Sequence, residues 1–190
     1  MNIITVPDPR LRKASTKVNH ITDETHQIIK EMVDASLEWE KQHPHELSAA
    51  MAAPQLGINK RIIIIRDDLD DKTNVSFTAL IDPEVIKASG KLISDYEGCL
   101  SVPFIYGLVP RHSKLRVKAK LADGTEVRIK AEDNLARTLA HEIDHLNGVL
   151  FIDHIKDDEK AFFELDKDGG LKPLDYDSHI KNNPELFGDE

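Results

Sequence analysis

Apolar side chains recur along this chain with two different periods. Between Asp23 and Lys41 they return every three or four residues, as Ile28, Ile29, Met32, Val33 and Leu37. That spacing predicts an amphipathic helix with one buried stripe. Thr22 is its candidate N-cap, and His43-Pro44-His45 ends it, because a residue before proline disfavours the helical region. The period then changes. Arg61 to Arg66 contains four consecutive isoleucines and predicts a strand buried on both faces. An acidic loop, Asp67 to Asn74, leads to a second strand, Phe77 to Ile81, ended by Asp82-Pro83. Leu115, Val117, Ala119 and Leu121 alternate with polar residues, as do Val127, Ile129 and Ala131. Asp123-Gly124 between them predicts a hairpin with a type I′ or related turn. The helical period returns with Leu135, Leu139, Ile143 and Leu146. This second helix is expected to start at Asp133 as N-cap, run to Asn147, and stop at Gly148 as the C′ residue. Ahead of all this, Ile3 to Pro9 reads as an extended arm ending in a turn.

The pattern fades after residue 155. From Lys156 to Glu190 there are five Lys against eleven Asp and Glu, with Ala161-Phe162-Phe163 and Leu171 to Leu174 as the main apolar anchors. The expected division is a catalytic unit over 1–155 and an acidic tail over 156–190 that wraps it or is partly disordered. Asp166-Lys167-Asp168-Gly169 begins like a calcium loop, but the other EF-hand positions are missing. It reads as a solvated acidic turn.

Composition narrows the functional classes. A chain of 190 residues, 31% charged and 40% apolar, is one ordinary globular domain. A net charge of −9 argues against a partner held through nucleic-acid phosphates and against an anionic membrane surface. One cysteine cannot make an internal disulfide, no secretory signal is visible near Met1, and the longest aliphatic run, Ile62 to Ile65, is far short of a membrane span. The expected location is cytoplasmic.

The chemistry lies in His141-Glu142-Ile143-Asp144-His145-Leu146-Asn147-Gly148. Positions i and i+4 share a helix face, so both imidazoles reach one metal ion, and Glu142 can serve a water bound to it. The bland alternative is a surface helix with two exposed histidines. The pattern leaves a ligand to be found elsewhere. Cys99, in Glu97-Gly98-Cys99-Leu100-Ser101-Val102-Pro103, is the candidate. An isolated cysteine is more often a small buried hydrophobe, but beside an incomplete His pair the thiolate reading leads. Two imidazoles and one thiolate leave a fourth position open for water, and Glu142 becomes the general base and then acid. Asp144 could orient an imidazole or be a plain surface carboxylate. In Ala52-Ala53-Pro54-Gln55-Leu56-Gly57, the Gln55 amide could stabilise an oxyanion together with the Leu100 backbone N–H.

Three ordered segments, Ala52 to Gln55, Glu97 to Ser101 and His141 to Gly148, resemble the motifs of the polypeptide deformylases. The similarity runs from the N-terminal arm to about Asp153. The resemblance implies an α+β fold, with antiparallel strands packed around a central helix that carries the metal motif and with an N-terminal helix. It implies hydrolysis of the formyl group from the N-terminal formyl-methionine of nascent chains, releasing formate. It also implies metal ligation by Cys99, His141 and His145, acid/base chemistry by Glu142, and oxyanion contacts from Gln55 and Leu100. The implied ion is Fe2+, with Zn2+, Ni2+ or Co2+ as substitutes. The implied partners are N-formyl-methionyl peptides and, transiently, the ribosome, with neither nucleic acid nor membrane expected.

Three departures stand out. Ser48-Ala49-Ala50-Met51 replaces the family's G-x-G and its apolar neighbour, which predicts a narrowed or re-angled peptide groove. Tyr106 stands where many members carry Arg. The tail is acidic, unlike the basic C-terminal helix that some members bring to the ribosome. Glu97 and Arg111 are expected to pair and brace the cysteine loop. His112, His154 and His179 are expected at the surface, and a second metal site at His43 and His45 is not favoured. Arg137 or Thr138 would face the methionine pocket. The competing functions are a metallopeptidase using the same helix, and a degenerate homologue that binds N-terminal peptides with little turnover.

Overall fold

The computed structural model describes residues 2–43, 46–69, 71, 73–166 and 169–188. Pro44 and His45, and with them the expected helix stop and the second metal site, lie outside the described residues, as do parts of the acidic loop and of the calcium-like turn.

Two α-helices sandwich one end of an antiparallel sheet. Helix α1 is Asp23–Gln42, and the Thr22 N–H donates to Thr25 Oγ1 at its start. The strands are β1 (Ala50–Ala52), β2 (Ile62–Arg66), β3 (Phe77–Cys99), β4 (Val102–Lys120), β5 (Glu126–Glu132), β6 (Phe162–Leu165) and β7 (Leu171–Pro173). Among the described residues they form one sheet in the order β1-β2-β3-β4-β6-β7, with β5 also on β4. Helix α2 is Asp133–Leu146.

The four isoleucines of β2 divide between two cores. Ile62 and Ile64 pack with Met32 and Ile28 of α1, whereas Ile63 and Ile65 pack with Leu139 and Ile143 of α2. All four are at most 6% exposed, as a strand covered on both faces requires. This places α2, and the metal motif on it, against the sheet and under β1.

Three local expectations are corrected. First, Asp82-Pro83 does not end a strand. β3 continues through it to Cys99, with a register shift between Ile81 and Glu84 and Asp82 at φ +52. The bulge leaves the proline out of the ladder, where its missing N–H is harmless. Cys99 therefore ends a strand rather than sitting in a loop, and Leu100-Ser101 makes a tight turn into β4, with Cys99 opposite Val102. Second, neither Ala122 nor Asp123 has positive φ, whereas Gly124 has φ +88. The β4–β5 turn is thus a three-residue loop with a left-handed glycine, not type I′. Third, the N-cap of α2 is Glu132. Asp133 is its first residue, at φ +49, and no side chain caps the helix.

The far end of α2 follows the sequence closely. Gly148 has φ +75, its N–H donates to the His145 carbonyl, and the Val149 N–H donates to the Asp144 carbonyl. This paired closure is the Schellman arrangement. A side chain at Gly148 would strike the Arg12 carbonyl.

The segment after residue 155 packs onto the sheet. β6 pairs with β4 through Tyr106↔Phe163, and β7 pairs with β6. Leu174 and Ile180 are buried with Phe151, Ile155 and Phe162 in a third apolar cluster. Among the described residues, no helix is long and apolar enough to cross a membrane.

Candidate metal centre

The C-terminal end of β3 and the middle of α2 meet under β1. There the ligand atoms of Cys99, His141 and His145 lie within 4.8 Å of one another. The Cys99 Sγ is 3.2 Å from His145 Nε2. A tetrahedral ion about 2.0–2.3 Å from each donor needs donor atoms about 3.3–3.6 Å apart, so the three atoms already approach that spacing. Both histidines are buried, with His145 only 1% exposed. The alternative of two exposed surface imidazoles is therefore excluded.

Glu97 sets the orientation of His141. Its Oε2 lies 2.9 Å from His141 Nδ1. An ionised carboxylate only accepts, so Nδ1 carries the proton and Nε2 is left as the donor atom for a metal. Glu97 is itself held by Arg111 Nε at 2.6 Å, Arg111 Nη2 at 3.0 Å and Arg137 Nη1 at 2.6 Å. Burial would raise this carboxyl, but His141 and Arg111 outweigh it and keep Glu97 well below the ordinary carboxylate range. The expected Glu97–Arg111 pair is present, and Glu97 also orients His141, which its position two residues before Cys99 could have suggested.

Asp144 does not orient an imidazole of the motif. It accepts from Arg111 Nη1 at 2.7 Å and meets the exposed His154 at 2.7 Å. Arg111 thus bridges Asp144 and Glu97, the partner of His141.

Glu142 is buried, and its Oε2 has no hydrogen-bond partner within the protein. Burial pushes its carboxyl up to about 7. A buried carboxylate oxygen without a partner is rare. Here it lies on the same cleft as Cys99 and His141, where a water on a bound metal would satisfy it. The donor chemistry and this orphaned oxygen both fit a catalytic metal site.

Gln55 sits in a single 3-10 turn, Ala53–Leu56, which follows β1. Its Oε1 accepts from the Ala52 N–H at 2.8 Å. That bond fixes the amide, so Nε2 faces Cys99 Sγ at 3.6 Å and Ser101 Oγ at 3.3 Å. Leu100 lines the same cleft, next to Cys99.

The cleft has a volume of about 670 Å³, and Arg137, Thr138 and Ala50 also border it. Arg137 is committed to Glu97 and to the carbonyls of Val109 and Ile93. Sequence reasoning missed the role of Ser48. It is 2% exposed, its hydroxyl pairs with Ser36 Oγ at 2.6 Å, and its N–H donates to Glu40 Oε1 at 2.8 Å. Glu40 in turn holds the buried Arg66 at 2.5 Å. No local pattern announces such a network, because Glu40 and Arg66 are 26 residues apart. His112, His154 and His179 are exposed, as expected.

A family model described as polypeptide deformylase matches residues 1–161. A peptide deformylase of Halothermothrix orenii is 43% identical over 155 residues, covering 82% of this chain and 93% of that protein. One of Thermomicrobium roseum is 40% identical over 158 residues, covering 82% and 85%. Among solved structures, a Synechococcus elongatus peptide deformylase in complex with actinonin superposes with a TM-score of 0.71 at 36% identity, over 80% of this chain and 76% of that one. A Met-Ala-Ser-bound class I type b peptide deformylase of Acinetobacter baumannii gives 0.71 at 28% identity, over 80% and 97%.

Proposed function

The chain belongs to the polypeptide deformylase family, and from that premise we propose that Cys99, His141 and His145 hold its metal ion and that Glu142 is its acid and base. The enzyme is a metal-dependent hydrolase that removes the formyl group from N-terminal formyl-methionine and releases formate. The observation that carries the site assignment is the orphaned, buried Glu142 oxygen on the cleft where three donor atoms lie within 4.8 Å.

When bound, the divalent ion supplies a water of lowered pKa and polarises the formyl carbonyl. Every other task falls to the protein. Glu142 takes a proton from the attacking water, then delivers it to the nitrogen of the departing methionine. In the cation-free protein, burial already lifts this carboxyl to about 7. The Gln55 amide, locked by Ala52, and the Leu100 N–H stabilise the oxyanion. The Glu97–Arg111–Arg137 cluster keeps His141 in its ligating tautomer. Two imidazoles and a thiolate suit zinc, nickel, cobalt or ferrous iron. The family resemblance favours Fe2+ in the cell.

The same reading takes 1–155 as the catalytic unit and 156–190 as a segment that wraps it, in the cytoplasm where nascent chains emerge. Contact with the ribosome is brief and does not run through this tail, whose carboxylates oppose polyanionic RNA. The cleft of about 670 Å³ is where this reading seats the peptide. A metallopeptidase would draw its third ligand from downstream of the helix. A degenerate homologue would have lost ligands, yet all are present.

The test is anaerobic purification with metal analysis, then formate release from formyl-Met-Ala-Ser beside casein hydrolysis. About one metal per chain and formate release without proteolysis are expected. A metal-loaded protein that releases no formate would overturn the reading.

A further inference from the structure

Helix α2 borders two hollows. Thr138, His141 and Glu142 line the metal cleft, whereas Ala140, Ile143 and Asn147 line a second groove. At 100° per residue these two sets lie on opposite faces of the helix. The second groove has a volume of about 500 Å³, within the range of small-molecule sites. Its other wall is the β3–β4 pair, where Ala88 faces Leu115 and Leu92 faces His112 in register. Leu115 and Ile143 are buried along it, but Leu92 is 64% exposed. The middle of the groove is thus apolar and partly uncovered.

Arg61 stands at the end away from Leu92. Its Nη2 donates to the Pro83 carbonyl at 3.0 Å, and its Nη1 donates to the Leu146 carbonyl at 3.1 Å and to Asn147 Oδ1 at 2.9 Å. All three acceptors are neutral, and among the described residues Arg61 makes no ion pair. Burial holds its guanidinium below the ordinary arginine range, against the more distant pull of Asp82 and Glu84. The groove's two carboxylates are engaged elsewhere. Lys118 meets Glu84 at 3.0 Å, and Asp144 is taken by Arg111 and His154. A partly buried cation without a counter-ion therefore sits at one end of an apolar trough, in a chain whose net charge is −9.

From this arrangement we infer that the groove binds a free medium-chain carboxylate, with its head on Arg61 and its hydrocarbon chain along Ala88, Leu115 and Ile143. The head supplies the negative charge that Arg61 lacks, through charge-assisted hydrogen bonds. The chain removes apolar surface, including Leu92, from water. One negative charge matches one unpaired cation, whereas a dianion would bring excess charge toward Glu84 and Asp144. This site is separate from the metal cleft and does not depend on the deformylase reading.

The test titrates zinc-loaded, full-length protein with octanoate, read by calorimetry and by amide NMR shifts. Saturable binding is expected, with shifts at Ala88, Leu92, Leu115 and Asn147. Octanoate should bind about tenfold tighter than hexanoate, as two further buried CH₂ groups imply, and octylamine should not bind. Arg61→Gln should weaken octanoate binding by about tenfold, and Arg61→Lys should restore part of it. Leu92→Asp, at an exposed position, should weaken it by a similar factor, and it decides the matter if Arg61→Gln fails to fold. The peptide Met-Ala-Ser should not displace octanoate. Absence of saturable binding, equal binding of octylamine, or affinities unchanged in both Arg61→Gln and Leu92→Asp would overturn the inference. Displacement by Met-Ala-Ser would place the acid on the metal and overturn it too. Cosedimentation with phosphatidylglycerol vesicles, without binding of free octanoate, would overturn it in favour of a lipid surface.

Discussion

His141 Nδ1 points at Glu97 Oε2 from 2.9 Å, and Glu97 is gripped on its other side by Arg111 and Arg137. A strand-end carboxylate thus decides which nitrogen of a helix histidine is free to bind metal. Glu97→Gln should keep the fold but weaken metal binding by about 10–100-fold. Competition with a chelator measures this directly, and an unchanged affinity would remove Glu97 from the account.

Glu142 links stability to pH. With no cation bound, its carboxyl rises from 4.5 to about 7 because it is buried. The folded state then holds a proton that the unfolded chain releases. The stability from this group is complete below 4.5 and is lost as pH climbs to about 7, by about 3 kcal/mol. Glu142→Gln cannot titrate, so chelator-treated wild type should lose more stability between pH 5 and pH 8 than the variant does. The same substitution should cut formate release by about 10²–10⁴-fold while metal content stays constant. Equal pH slopes for both proteins would contradict the burial argument.

Ala50 is the first residue of β1 and borders the cleft. The expectation drawn from the resemblance, which implies glycine here, is that its methyl narrows the groove. Ala50→Gly should raise kcat/KM on formyl-Met-Ala-Ser by about threefold, a gain under 1 kcal/mol. No change in kinetics would show that the groove already accommodates the methyl.

Arg66 is fully buried and answers to Glu40, which also holds the Ser48 N–H. Removing one partner of a buried pair leaves an uncompensated charge, so Glu40→Ala should cost about 3–5 kcal/mol. Urea unfolding reads that loss. A loss under about 1 kcal/mol would mean that Arg66 finds other partners.

Much of this site is legible in the sequence because its parts are local. The i, i+4 histidines, the flanking Glu142 and the Gly148 stop all depend on helix geometry alone, and α2 runs Asp133–Leu146, within one residue of the expected ends. Ile62 to Ile65 are buried on both faces for a reason that also lies within the strand. What escaped depends on partners distant in sequence. Asp82-Pro83 looks like a strand end until a bulge opposite β4 absorbs it. Ser48 looks like a lost glycine until Ser36 and Glu40 surround it. Asp144 sits within the metal motif, yet its carboxylate is taken by Arg111, 33 residues away, and by His154.

The most direct measurement is X-ray absorption at the metal edge of anaerobically purified protein, for wild type and Cys99→Ala. The wild-type spectrum should show one sulfur at about 2.3 Å and two imidazole nitrogens near 2.0–2.1 Å for a zinc-loaded sample, with the sulfur shell absent from the variant. A wild-type first shell of nitrogen and oxygen alone would contradict the shared centre of Cys99, His141 and His145.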